Sequence, residues 1–256
     1  MSELPAASVP AAQPNTRQHA VPSAPPFWCR VFLFANIAVF VLQQALGWWL
    51  DARWPLIVQA LGAKVNAAII VGQYWRFVTP LFLHGNLVHV AVNCYTLYII
   101  GPEVEAAFGH ARFAALYMLA GVCSILASFL FTDANSVGAS GALFGLIGAL
   151  AVYLLRNRAA FGTMGKRRLQ NIGSTLLLNL GLGLLPFIDS WAHAGGLAGG
   201  AALAAVIAPR WQLELDAASG QAQVVDGNRA GTVWWVLPAA AAALACAAVL
   251  AAQLAR

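Results

Sequence analysis

The chain has 256 residues, of which 61% are hydrophobic and only 9% are charged, and its formal net charge is +5 at pH 7. Soluble globular domains carry about 45–50% apolar and about 25% charged residues, so this chain has too little charge to cover a water-facing surface of its size. The composition excludes a soluble Rossmann or barrel enzyme, a collagenous repeat and a disordered chain, and it predicts a protein that is solvated by lipid.

The charged residues divide the chain into long uncharged stretches. Seven gaps between consecutive charges hold 20 or more residues, namely 31–50, 77–102, 113–132, 134–155, 169–188, 190–209 and 230–255. A helix needs about 20 apolar residues to cross a hydrocarbon core about 30 Å thick. The spacing therefore predicts an all-α fold, a polytopic helical membrane protein with seven spans.

Proline, glycine and polar residues set the expected ends of these spans. In chain order, the predicted spans are Val31–Leu50, Leu87 up to Gly101-Pro102, Phe113–Phe131, Ser140–Arg156, about Ile172 to Leu185 (ended by Pro186), Trp191–Ala208 and Val233–Leu254. The stretch 51–76 is broken by Pro55, Gly62 and Gly72, so we expect an external loop that lies partly in the membrane interface.

The basic residues are divided unevenly between the two sides of the membrane. With the N-terminus inside, ten of the fourteen Lys and Arg residues fall on the inner side, and five of these lie between residues 156 and 168. This bias predicts an N-in, C-out orientation. The basic excess thus indicates membrane topology, and we expect no nucleic-acid partner.

The sequence indicates neither a metal nor a cofactor. The four cysteines are scattered and form no CxxC or CxxH pair: Cys29, Cys94, Cys123 and Cys246. We therefore expect neither a zinc site nor a disulfide framework. His84, His89 and His193 are conceivable ligands, but no carboxylate accompanies them and no H-E-x-x-H motif is present.

Polar side chains inside apolar spans are costly in lipid, so each is a candidate functional residue. Ser140 begins the fourth span, where free backbone N–H groups and the helix dipole favour developing negative charge, as a nucleophile requires. The same position also suits a helix N-cap or a small residue at a helix contact. Because residue 142 is Ala, the G-x-S-x-G motif of α/β-hydrolases is absent.

His193 lies near the start of the sixth span, at the same predicted membrane depth as Ser140. Small-xxx-small patterns follow both residues, in Gly141 and Gly145 on the fourth span and in Gly195, Gly196, Gly199 and Gly200 on the sixth. Such patterns let helix backbones approach closely. If these two spans pack together, the His193 imidazole can activate Ser140 as a base, although an isolated histidine near a span end is also commonly a hydrogen-bonded interfacial residue.

His89 and Asn93 are four residues apart, so one face of the second span presents both. They could stabilise an oxyanion beside the Ser140 N–H, or form a hydrogen-bond pair between helices. Asp189 precedes His193 by four residues, but its place directly before the sixth span favours a helix cap over the acid of a catalytic triad. A Ser–His dyad is the simpler hypothesis.

Taken together and in this order, the motifs resemble the rhomboid family of intramembrane serine proteases. The resemblance runs from about Trp75 to Gly200, roughly half of the chain. It rests on Trp75-Arg76, His84, His89-Val-Ala-Val-Asn93, Glu105 after Gly101, Gly138-Ala-Ser140-Gly141, and Ala192-His193 with the glycines that follow it.

The resemblance implies that Ser140 is the nucleophile and His193 the general base. It implies an oxyanion hole formed by His89, Asn93 and the Ser140 amide. Many members carry Tyr four residues after the serine, packed on the histidine ring. Here the residue is Phe144, which keeps the stacking surface but lacks the hydroxyl.

The resemblance also implies supporting roles and a domain order. Trp75-Arg76 would shape the first outer loop, Glu105 would brace the inner ends of helices, and Gly138 and Gly141 belong to the nucleophile motif. The predicted organisation is a flexible Pro/Ala-rich tail at 1–27, a six-helix rhomboid core at 28–209, an inner linker at 210–231 and an additional seventh helix at 232–256.

The implied function is a serine endopeptidase that hydrolyses peptide bonds in or near transmembrane segments, with transmembrane protein substrates and the lipid bilayer as partners. The alternative is a non-catalytic rhomboid relative that binds client helices. Such relatives typically lack the serine, the histidine or the small residue before the serine, and all three are present here. A transporter or channel would need a charged or repeated pathway, yet Asp and Glu are absent from the span interiors. The lack of an organellar presequence favours a bacterial inner membrane.

Overall fold

The structure, a computed structural model, describes residues 23–51, 53–182, 188–215, 222–228 and 230–255. Its helices are α1 (Phe27–Trp49), α2 (Trp54–Leu61), α3 (Asn66–Ile70), α4 (Leu87–Phe108), α5 (His110–Phe131), α6 (Ser140–Arg156), α7 (Arg158–Leu182), α8 (Ser190–Ile207) and α9 (Ala230–Leu254). Two 3₁₀ turns at Tyr74–Phe77 and Thr79–Phe82 precede α4, and the antiparallel strands β1 (Trp211–Leu215) and β2 (Ala222–Asp226) precede α9.

Five helices of the described chain are long and apolar enough to cross a membrane. They are Phe27–Trp49, Leu87–Phe108, His110–Phe131, Ser190–Ile207 and, within α9, Trp235–Leu254. Helix α6 is also apolar but has only 17 residues. The stretch 51–76, predicted as a loop, forms short helices and a 3₁₀ turn, and its described residues include no helix long enough to cross a membrane. The prediction of an all-α polytopic membrane protein is confirmed.

Helix α4 runs through Pro102 to Phe108, whereas the sequence predicts an end before Gly101. A proline removes one intrahelical hydrogen bond, and contacts on both sides of it offset that loss. Gly101 provides space for α1, because a Cβ there would lie 2.4 Å from Cys29 Sγ. Glu105, one turn further on, binds the N-terminus of α1.

Two segments that the sequence predicts on the inner side have more secondary structure than expected. Helix α7 begins at Arg158 rather than near Ile172, so the basic segment is helical, with non-helical torsions at Gly162. The predicted inner linker holds the antiparallel strands β1 and β2, and Trp211 Nε1 of β1 donates a hydrogen bond to the Tyr153 hydroxyl near the end of α6. The predicted end of the fifth span at Pro186 and residues 1–22 of the predicted tail lie outside the described residues.

Helix α8 packs backbone to backbone on α6. A Cβ on Gly196 would lie 2.0 Å from the Gly141 carbonyl oxygen, and a Cβ on Gly200 would lie 2.1 Å from that of Gly145. Real Cβ atoms do not approach an oxygen so closely, so only glycine permits this crossing. The predicted packing of the fourth and sixth spans through their small residues is confirmed.

The other two glycines of this pattern, Gly195 and Gly199, pack against α5. A Cβ on Gly195 would lie 2.4 Å from Ala127 Cβ, and a Cβ on Gly199 would lie 2.6 Å from Cys123 Sγ, both on α5. The two overlapping patterns therefore dock α8 on two helices at once, and α5, α6 and α8 form the centre of the bundle.

Replacing Gly196 with alanine should force α6 and α8 apart and destabilise the fold by roughly 1–3 kcal/mol, as overpacking of a dense core does. The control is Gly173→Ala in α7, where a Cβ would meet nothing within 4 Å. Thermal unfolding in detergent should show a lower midpoint for Gly196→Ala alone. Equal midpoints for the two variants would contradict this close packing.

Candidate active site

Ser140 and His193 lie side by side at the start of two helices. Ser140 is the first residue of α6, and His193 lies in the first turn of α8. His193 Nε2 is 2.9 Å from Ser140 Oγ, within hydrogen-bonding distance. In this geometry the imidazole can accept the hydroxyl proton as the oxygen attacks a carbonyl carbon.

An aromatic ring sets the orientation of the His193 imidazole. Phe144, one turn after Ser140 on α6, stacks on it with ring centroids 4.3 Å apart and planes 12° from parallel. The main-chain N–H of His193 donates to the Asp189 carbonyl oxygen. The stacking contact that the resemblance assigns to this position is therefore present with phenylalanine.

Asp189 is the N-cap of α8. Its side chain accepts hydrogen bonds from the Ala192 N–H, at 2.9 Å, and from the Ser128 hydroxyl of α5. Both carboxylate oxygens are thus bonded to groups other than the His193 ring. The expectation of a helix cap is confirmed.

His89 directs one ring nitrogen toward the segment before Ser140. The Gly85 N–H donates to His89 Nδ1 at 3.4 Å, so in the neutral ring the proton resides on Nε2. This Nε2 lies against Gly138, where a Cβ would be only 2.6 Å away. His89 therefore presents an N–H donor beside the loop that leads into Ser140.

Two constraints require glycine at 138 and one requires it at 141. Gly138 has φ +123°, a left-handed torsion that side chains disfavour, and it faces the His89 ring. A Cβ on Gly141 would lie 1.8 Å from Ser124 Oγ of α5. These glycines allow the turn into α6 to fit between α4, α5 and α8.

Asn93 follows His89 by one turn on α4 and is buried. One of its amide hydrogens is donated to the His89 carbonyl oxygen at 2.8 Å. Asn93 thus braces the turn of α4 that carries His89. Its place in the oxyanion hole stays a prediction.

The remaining predicted residues lie away from the dyad. Arg76 is buried and donates to the carbonyl oxygens of Gln59 and Ala63, so it closes the loop between α1 and α4 on itself, whereas the adjacent Trp75 is 56% exposed. Glu105 lies at the opposite end of α4 from His89.

The carboxylate of Glu105 joins three helices. It accepts the N–H groups of Trp28 and Cys29, both at 2.8 Å, and contacts His110 Nδ1 at the start of α5. Helix α1 has no capping side chain of its own. An anion is favourable at a helix N-terminus, so Glu105 supplies the missing cap from another span.

Sequence reasoning did not single out Asn86 or Gln43, which bond the segment that carries His89. Asn86 caps α4 by accepting the His89 N–H at 2.8 Å. The main chain of buried His84 exchanges two hydrogen bonds with the Gln43 amide of α1, both at 3.2 Å. The His84 ring lies edge-on to that of His89, and burial lowers the pKa of His84 to about 3, so it adds no charge there. Gln43, a polar residue within an apolar span, is the signal that could have pointed to this contact.

Comparison with known proteins identifies the same segment of the chain. A family model described as "Rhomboid domain" matches residues 71–210. The chain is 36% identical over 197 residues to "Rhomboid protease GluP" of Bacillus subtilis (strain 168), covering 76% of this chain and 38% of that protein. It is 40% identical over 134 residues to "RHOMBOID-like protein 7" of Arabidopsis thaliana, covering 50% of this chain and 41% of that protein.

A further relative is "Rhomboid protease AarA" of Providencia stuartii, 32% identical over 184 residues, which cover 63% of this chain and 65% of that protein. The chain thus spans less than two thirds of the length of these relatives. The family match covers more than half of the chain and contains every motif from Trp75 to Gly200. This chain, an integral multi-pass membrane protein, belongs to the rhomboid family.

Proposed function

We propose that this protein is an intramembrane serine endopeptidase that uses a Ser140–His193 dyad. The observation that carries the proposal is the 2.9 Å contact between His193 Nε2 and Ser140 Oγ at the N-terminus of an apolar helix. Family membership supports it, because two of the relatives are named as rhomboid proteases. The presence of Ser140, His193 and the preceding Ala139 argues against a non-catalytic relative.

In the acylation step, His193 Nε2 takes the proton of Ser140 as Oγ attacks the carbonyl carbon of the scissile bond. The resulting oxyanion is stabilised by the N–H of Ser140, which has no acceptor within its own helix, and by the Nε2–H of His89. When the intermediate collapses, the C–N bond breaks and His193 protonates the leaving amine. The peptide's acyl group remains on Ser140.

In the deacylation step, His193 accepts a proton from a water molecule whose oxygen attacks the ester carbon. The second tetrahedral intermediate uses the same donors, and its collapse returns the proton to Ser140 and releases the carboxylic acid. Water must therefore reach the outer ends of α4, α6 and α8.

The proposed substrates are transmembrane segments of other proteins. A membrane helix hides its carbonyl groups in internal hydrogen bonds, so it must unwind locally before Ser140 can attack. Segments containing glycine, serine or proline unwind at lower free-energy cost. Small residues next to the scissile bond also suit a site surrounded by closely packed helices.

We expect the membrane to be the bacterial inner membrane, with the N-terminus inside and the catalytic end of the bundle on the outer side. We also propose the six-plus-one arrangement, in which α9 is added to a six-helix core. Proteolytic accessibility of the two termini in right-side-out vesicles tests the orientation. Protection of the N-terminus with exposure of the C-terminus supports it, and the reverse contradicts it.

The experiment that tests the function is to reconstitute the purified protein in liposomes with a fluorescence-quenched transmembrane substrate. Fluorescence should rise, and mass spectrometry should place the new termini in or near the apolar segment. The control is an identical substrate whose scissile region carries only leucine and alanine. If a panel of substrates with glycine, serine or proline in the scissile region stays intact while the protein remains folded, the protease proposal fails.

Replacing His89 with leucine should lower kcat by roughly 10²-fold, the usual effect of removing one oxyanion donor. Asn93→Ala should have a smaller effect, because one Asn93 amide hydrogen is already donated to the His89 carbonyl oxygen. Steady-state kinetics with the quenched substrate measure both values. Equal losses in the two variants, or a change in KM alone, would argue against His89 as the oxyanion donor.

A further inference from the structure

A buried lysine lies in the first outer loop, between α2 and α3. Lys64 has no exposed surface, although it carries an ammonium group. Among the ion pairs of the described residues, none includes Lys64. Its Nζ instead donates to the carbonyl oxygens of Thr132, at 2.6 Å, and Ala134, at 2.9 Å. A buried cation is costly unless it is fully hydrogen-bonded, so these acceptors account for its position.

Both carbonyl groups belong to the segment that connects α5 with α6. Thr132 is the C-cap of α5. At this end of a helix the carbonyl groups accept no hydrogen bond from their own helix, and the helix dipole favours a cation. Asn66 reinforces the contact, because its Nδ2 donates to the carbonyl oxygens of Phe129 and Thr132. The first outer loop therefore caps the end of α5.

The main chain of Lys64 continues the contact toward the nucleophile. Its N–H donates to the Ser136 carbonyl oxygen at 2.9 Å, and the Ser136 N–H donates back at 3.2 Å. Two residues later, the Gly138 N–H donates to the Pro80 carbonyl oxygen at 2.8 Å. Only Ala139, which is fully buried, separates this second anchor from Ser140.

We propose that Lys64 is a positioning residue for the hydrolysis, because its buried ammonium holds the segment 132–136 and thereby places Ser140 against His193. This inference rests on the proposed protease function. The contact to His193 depends on where the α5–α6 segment delivers Ser140, and a misplacement of about 1 Å at a reacting group can cost about 10²-fold in rate. Lys64 acts through this segment and does not touch the reacting atoms.

Because the proposed role depends on the charge of Lys64, activity should depend on pH near the pKa of Lys64. Burial lowers the pKa of Lys64 from 10.5 to about 8, while Asp189 and Asp133 act in the opposite direction. Arg76, the cation of the adjacent 3₁₀ turn, bonds the Ala63 carbonyl oxygen next to Lys64. The ammonium is present below about pH 8 and is lost as the pH rises through that value. A neutral amine forms weaker hydrogen bonds, so the segment should then be held less firmly.

Fold stability should follow the opposite trend. Between about pH 8 and 10.5 the unfolded chain binds the Lys64 proton and the folded chain does not, so this group makes stability rise with pH. A loss of activity above pH 8 without a loss of stability is therefore expected from a positioning role. A general loss of folding at high pH would instead lower kcat and the unfolding midpoint together.

The test compares wild type with two variants. Lys64→Met keeps an unbranched side chain of similar length but removes its charge. Arg53→Met removes an exposed cation of the same loop. The assay is the quenched transmembrane substrate in liposomes from pH 6 to 10. For Lys64→Met we expect kcat about tenfold or more below wild type, KM within about twofold, and no further fall in kcat above pH 8. The unfolding midpoint should be kept, because an apolar side chain of similar volume often replaces a buried charge without loss. Arg53→Met should match wild type.

Wild-type kcat in folded Lys64→Met, or the same alkaline fall in both proteins, would overturn the inference. If Lys64→Met does not fold, the dependence of wild-type kcat on pH is the test of the inference. A kcat that falls above pH 8 while the unfolding midpoint holds supports the inference, and a flat profile overturns it. A wild type that cleaves no substrate at any pH instead overturns the proposed function, and with it this inference.

Discussion

Replacing Ser140 with alanine should reduce cleavage of the quenched transmembrane substrate by roughly 10⁴-fold or more, to the background rate. The reason is that Ser140 carries the hydroxyl group that the structure places 2.9 Å from His193 Nε2, so the variant lacks the nucleophile of the proposed acyl intermediate. The variant should fold normally, since alanine removes only the hydrogen bond between the Ser140 hydroxyl and His193 Nε2 and leaves the packing of α6 on α8 intact.

The matched control is Ser174→Ala, which changes an exposed serine of α7 whose hydroxyl donates to the Gln170 carbonyl oxygen of the same helix. Its turnover should equal that of wild type. Wild-type turnover in Ser140→Ala would exclude the dyad. Loss of turnover in both variants would indicate a defect in folding or reconstitution rather than in chemistry.

Replacing His193 with alanine should cause a loss similar to that in Ser140→Ala, because the hydroxyl then lacks a base to remove its proton. The two groups act as a unit, so the double variant should be no slower than either single variant. Steady-state rates of the two single variants and the double variant measure this non-additivity.

His110→Ala serves as the control, because His110 lies at the far end of α5 and contacts Glu105. It should keep wild-type kcat. A fold-loss in the Ser140–His193 double variant that equals the product of the two single fold-losses would contradict a dyad, because the free-energy losses of independent groups add.

Local patterns predicted the parts of the structure that depend on short-range periodicity. The scarcity of charge located α1, α4, α5, α8 and α9, because a span must be apolar along its whole length. The glycines at 196 and 200 predicted contact with α6, because only small residues let two backbones approach. That one contact brings Ser140 to His193, so the centre of the candidate site followed from the sequence.

Contacts between segments distant in sequence could not be predicted in this way. Glu105 caps α1 from 76 residues away, and nothing in the local pattern of either helix indicates the partner. Lys64 gave no signal as a buried residue, because a lysine in an outer loop is ordinarily solvated. The continuation of α4 past Pro102 depends on similar contacts, which offset the hydrogen bond that proline removes.

The hairpin could have been found but was not. Trp211–Leu215 alternates apolar and polar residues, which is typical of a strand, but the composition of the whole chain favoured helices everywhere. Its position also depends on tertiary partners, among them the ion pair between Arg112 of α5 and Asp226 of β2 at 2.6 Å.

The most direct test of the dyad is covalent labelling of the folded protein with a fluorophosphonate, followed by peptide mapping. A fluorophosphonate reacts only with a serine that a neighbouring base has activated. We predict a single adduct, on Ser140, that forms in wild type and is absent from His193→Ala. An adduct on another residue, or substrate hydrolysis with Ser140 unlabelled at saturating probe, would contradict the assignment of Ser140 as the nucleophile.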